Sequence, residues 1–150
     1  MARWGTRLTK GAASVQTVGE LNAAASNMRR AKITDITMGC NASPADNEFE
    51  WVFQRCTTAG TGTTVTPNAT DPADTLASTI VATGTVTVDG ALTAGAFLGE
   101  IPMNTRASFR WVAVPTFELI IPATASNGIA VAISAATTTT FGCGLMYEEL

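Results

Sequence analysis

The 150-residue chain has 9 basic and 12 acidic side chains, a net charge of −3 and no histidine. Charged residues make up only 14 % of it, against about 25 % in an ordinary soluble domain, and 25 threonines with 25 alanines fill the gap. Without imidazole, Ser-His-Asp and Cys-His chemistry and His-containing zinc sites are excluded within one chain. Two lysines on a slightly acidic body argue against a face that wraps nucleic acid or lies on anionic lipid. At 46 % hydrophobic residues the chain can build one core, and its length suits one domain. Composition therefore predicts a non-enzymatic protein without cofactor or metal.

In chain order, residues 1–30 hold five of the nine basic side chains and one acid, Glu20, with little sustained alternation. They are predicted to form an irregular N-terminal arm, with 31–150 as the folded domain. Positive charge near Met1 is followed by no apolar run, so no secretory signal is read there. No stretch approaches the roughly 18 apolar residues of a spanning helix. Asn22 to Arg30 suits either a short helix or an extended segment along a neighbour.

From Ile33 the period is two. Ile36, Met38 and Cys40 share one face of a first strand. The turn cluster Asn41–Asn47 leads into Glu48–Cys56, where Phe49, Trp51 and Phe53 oppose Glu48, Glu50 and Gln54. Read as a hairpin, this arrangement keeps Cys40 and Cys56 too far apart for a disulfide. Three cysteines at wide spacing (Cys40, Cys56, Cys143) suit free thiols. Thr57 to Thr75 reads as a long polar loop carrying Gly60, Gly62, Pro67 and Pro72. Strands follow at Thr79–Val88, closed by Asp89-Gly90, then Leu92–Leu98, Ser108–Val114, Phe117–Ile121, Ile129–Ser134 and Phe141–Glu148. About eight short strands between turn signals predict an all-β, antiparallel, jelly-roll-like β-sandwich.

Motifs that bear chemistry are thin. Gly60-Thr-Gly62 has two glycines of a dinucleotide fingerprint, but Val65 stands at the third and Pro67 follows. Asp46, Glu48 and Glu50 near one turn, with Asp71 and Asp74 in the long loop, offer oxygen ligands for Ca²⁺ or an acid–base pair if the loops meet. A solvated rim is the simpler reading. Arg55 and Arg110, within aromatic strands, are expected to pair across strands with glutamates.

The last third supplies a resemblance. Phe109-Arg-Trp-Val-Ala-Val-Pro115, Glu118-Leu-Ile-Ile-Pro-Ala-Thr124, Asn127-Gly128 before an apolar strand, and the closing Tyr147-Glu-Glu-Leu150 resemble small capsid cement, or decoration, proteins of tailed bacteriophages. The match is one of strands and turns over about Ile33 to Leu150, and the first thirty residues lie outside it. It implies a β-sandwich that assembles, often as a homotrimer, on the outside of a capsid. The partner is then the major capsid protein, the location the virion, and the place of synthesis the host cytoplasm. It carries over no catalytic or cofactor residue. With the basic charge of the arm, it makes Arg3, Trp4, Arg7, Lys10, Arg29 and Arg30 the expected capsid contacts. Two other readings stay open. One is a receptor- or carbohydrate-binding sandwich of a fibre, with its site in the 57–75 loop. The other is a jelly-roll coat subunit whose arginines face packaged nucleic acid.

Overall fold

The computed structural model describes residues 2–11, 13–74 and 78–150. Among them the chain forms twelve strands and no helix: β1 (Arg3–Thr9), β2 (Thr17–Ala23), β3 (Ala31–Ala42), β4 (Glu48–Cys56), β5 (Thr61–Val65), β6 (Asn68–Ala69), β7 (Ile80–Val88), β8 (Leu92–Asn104), β9 (Ser108–Val112), β10 (Leu119–Ile121), β11 (Gly128–Ile133) and β12 (Thr140–Glu149). Two antiparallel sheets pack face to face, as the all-β reading expects. The first runs β10-β3-β12-β1-β6, with β9 also paired to β3; the second runs β5-β7-β2-β11-β4-β8.

The core lies between the sheets. Trp4, Leu8, Ile33, Ile36, Phe141 and Tyr147 of the first sheet meet Leu21, Trp51, Phe53, Ile80, Ile129 and Val131 of the second. Trp4 stacks on Tyr147 with ring centroids 5.8 Å apart, and Trp51 meets Phe141 edge-on at 5.5 Å. These offset and edge geometries suit the ring quadrupoles. Phe49, Trp51 and Phe53 point inward, as the alternation of β4 predicts.

Three expectations are corrected. Residues 1–30 are no arm (Met1 and Ala12 lie outside the described residues). β1 sits inside the first sheet, paired from Arg3↔Glu148 to Thr9↔Gly142, and β2 sits between β7 and β11 in the second. The physical reason is burial, because Trp4 and Leu8 fill the core from one face of β1 and every residue of β2 is buried. Asn22 and Ala23 belong to β2, so no helix spans Asn22–Arg30. Second, Asn41–Asn47 is no hairpin turn. β3 and β4 lie in different sheets, so the segment crosses between layers. Third, the 57–75 stretch (Thr75 is outside the described residues) is not one open loop, since it contains β5 on the edge beside β7 and β6 beside β1. These four unforeseen strands account for twelve where about eight were expected.

Loops 57–60 and 89–91 close over the outer face of β2. Thr57 N–H donates to Ala91 O at 3.0 Å, and Gly60 N–H donates to Glu20 Oε2 at 2.6 Å. A Cβ at Gly60 would stand 2.5 Å from Val88 O, and one at Gly90 would stand 2.4 Å from Thr58 O. Close backbone approach therefore explains Gly60, and no phosphate cradle is needed. At the other end, Glu149 Oε1 accepts Thr79 N–H at 2.7 Å and the Ser78 hydroxyl, tying β12 of the first sheet to the entry of β7 in the second.

Candidate assembly interface

β3 is long, and its two edges differ. One is covered over nearly its whole length by β12. The other is shared by two short strands, β9 opposite Asp35–Gly39 and β10 opposite Ala31–Ile33. The split follows from sequence, since Pro115, between the two, lacks the N–H a ladder needs, and Pro122 ends β10. After β9 the last tie to β3 is Ala113 N–H to Thr34 O at 2.9 Å. The chain then turns outward through Val114-Pro115-Thr116-Phe117, closed by Phe117 N–H to Val114 O at 2.9 Å. Pro115 presets the first central position, and the second, Thr116, has φ +79°. Type II geometry asks for glycine there, so a β-branched residue is strained. Hydrogen bonds from the backbone N–H groups of Glu118 and Thr116, with Lys32 nearby, hold the Glu118 carboxyl below the ordinary glutamate range. That carboxylate caps the strained turn. β10 is anchored from the opposite sheet, where Arg55 Nη1 donates to Ile120 O at 3.0 Å.

The outcome is a strand edge that presents apolar side chains to solvent. Phe117 is 74 % exposed and Val114 66 %, with Val112 also open; exposed Phe109 lies on the other phase of β9, beside Met38. Register places Val112 beside Asp35, and Asp35 beside Met146, so exposed Met146 extends the patch onto the outer sheet face. Arg110 grips Asp35 through both carboxylate oxygens (Nε to Oδ2 2.9 Å), and Arg3 pairs with Glu148 at 2.6 Å farther along the same face. An apolar centre rimmed by ion pairs is the anatomy of a protein interface. Among the described residues, β9 and β10 pair with β3 alone, and an unblocked apolar edge invites a partner. The edge strand β5, by contrast, presents Thr-Gly-Thr-Thr.

The expected contact residues are scattered. Trp4 is 3 % exposed and stacked in the core, and Lys10 is buried with Nζ donating to Thr137 O at 2.6 Å. Neither offers a surface, which corrects that part of the expected set. Arg3 and Arg7 project from the outward phase of β1, while Arg29 and Arg30 lie exposed between β2 and β3. Arg3 and Arg7 share the outer sheet face with Met146, one on either side of it in register. Arg110 does pair across strands, though with an aspartate; Arg55 reaches a backbone carbonyl instead. Half-buried Trp111 packs on Phe53 at 5.9 Å. Nothing in the alternation of β9 marks Val112 as exposed, since its neighbours Arg110 and Val114 fit any outward phase.

The remaining candidates stay apart or are structural. Among the described residues no three metal-ligating side chains gather, and Asp46 pairs with Arg106 at 3.0 Å. Cys56 and Cys143 are buried, and burial pushes each thiol up to about 12. Such thiols are inert at neutral pH. Cys40 and Cys56 lie on strands of different sheets, and all three cysteines are free. No helix among the described residues is long and apolar enough to cross a membrane. No family model matches the chain, and neither a curated protein nor a solved structure is found to be similar to it.

Proposed function

We propose that this protein is a non-enzymatic structural subunit that binds the outside of a phage capsid through the β9–β10 edge and stabilises the shell, as a cement or decoration protein. The observation that carries the reading is the group Val112, Val114 and Phe117, apolar and open on and beside a strained turn. These residues lie in or beside the segments, Phe109–Pro115 and Glu118–Thr124, that resemble decoration proteins. The partner is the major capsid protein, with trimeric self-association adding avidity. The coat-subunit reading loses its motive, because β1 and β2 are built into the sandwich and leave no basic arm for nucleic acid.

Purified protein added to stripped particles tests this reading. Binding by the parent, and loss of binding by a folded Val114→Asp/Phe117→Asp variant, is the expected result. Equal binding by both would sink the assignment of the edge.

A further inference from the structure

We infer that the outer face of the second sheet is a carbohydrate-binding groove for neutral or amino sugars, distinct from the β9–β10 edge. A groove of about 460 Å³ runs across β8, β4 and β11, lined by Phe97, Glu100, Glu50, Gln54, Gln16 and Ser134. That size suits a small ligand. Its floor is low because Ala132 and Val52 present short side chains there.

Phe97 is on this face because of a register shift. Phe53 pairs with Gly99, but the next residue, Gln54, pairs with Phe97, so Leu98 is the extra residue of a bulge. Leu98 packs toward the core while Phe97 stands outward, 52 % exposed. Bulges re-aim side chains in this way beside binding sites. An exposed phenyl ring over a groove offers a flat apolar surface for the C–H face of a pyranose.

The polar groups around it are pre-set as acceptors. Gln54 Nε2 donates to Thr93 O at 2.8 Å and Gln16 Nε2 to Ser134 O at 3.1 Å, which fixes both amides and leaves their oxygens for a ligand. Glu50 and Glu100 are diagonal neighbours, Val52 being opposite Glu100 and Glu50 opposite Pro102. That spacing is about 7–8 Å between backbones. Neither carboxylate belongs to an ion pair among the described residues. Acceptors beside an open ring ask for a ligand rich in hydroxyl donors with one apolar face, which describes a hexose. Two unpaired carboxylates repel uronates and sialylated sugars and tolerate an amino sugar.

The full chain, labelled at exposed amines, is to be applied to an array of neutral, amino and acidic oligosaccharides. Retention on neutral or amino sugars and none on acidic ones is expected. The best-retained oligosaccharide is then titrated calorimetrically against the parent, Phe97→Ala and Glu100→Gln. Each variant should bind at least tenfold more weakly while keeping the parent's circular dichroism and melting temperature. The proposal is overturned if no sugar is retained, if both folded variants bind as the parent does, or if spermine displaces the sugar at equal concentration, which would mark a charge-only surface. Capsid binding by Phe97→Ala should be unchanged, so the two functional readings stand or fall separately.

Discussion

Thr116 and Glu20 show opposite ways in which one residue can be out of place. At Thr116, φ +79° stores strain of order 1–3 kcal/mol, part of which glycine would release. Thr116→Gly should stabilise the fold by about 1 kcal/mol after the added chain entropy of glycine. That raises the melting temperature by roughly 2–4 °C, and a fall instead would show the turn to be unstrained. Glu20 is fully buried, and burial pushes its carboxyl above the ordinary range against the opposing hydrogen bond from Gly60. Asp89 and Cys56 both face the same charge. The folded chain thus holds the Glu20 proton more tightly than the unfolded chain does. Stability from this group is complete below the ordinary glutamate range and is lost as pH rises through the raised value. The difference in melting temperature, Glu20→Gln minus parent, should therefore grow more positive from pH 4 to pH 7; a flat difference would contradict it. Glu118 has the reverse sign. Its lowered carboxyl stabilises the turn above the ordinary range, and acid removes that support.

Among elements, β1 and β2 decide what the first thirty residues do. Leu8→Ala should cost about 2–5 kcal/mol, the range for emptying a buried leucine site, read as a shift in the urea midpoint. Deleting residues 1–10 should unfold the chain, whereas a folded product with normal melting would restore the idea of a detachable arm. The alternation of β1 is short and diluted by Gly5 and Thr6, with Trp4 and Leu8 on one phase and Arg3 and Arg7 on the other. β2 had no period to find, because loops cover its outer face and Val18, Glu20 and Leu21 are all buried. β4 was legible because its two faces meet different surroundings. The β9–β10 edge was legible as strands and turns but not as surface. Whether Val112 is covered depends on which strand lies beyond it, and alternation does not encode that neighbour. The groove beneath Phe97 depends on a one-residue register shift, which is equally silent in the sequence.

For the whole molecule, the proposed role is one of mass action. A subunit that binds only the assembled shell stabilises that state by RT ln(1 + [L]/Kd) per site, about 2.7 kcal/mol at a hundredfold excess over Kd. Particles with and without the protein, heated in parallel while DNA release is followed, should release at clearly separated temperatures. Equal temperatures would remove the cement role. Sedimentation at micromolar concentration should show trimers of the 15.5 kDa chain. A monomer that also leaves stripped particles unbound would count against both oligomer and docking.

The strand pairing also bears on when the protein first becomes competent. β1 has β12 as its main partner, and β2 is enclosed on one side by β11. β1 and β2 thus wait for strands far later in the chain before either sheet closes. Pairings this distant along the chain close slowly, and prematurely terminated products expose open strand edges. A chain that stops before β12 is made lacks the centre of its first sheet, and the β3 edge proposed for docking has no support behind it.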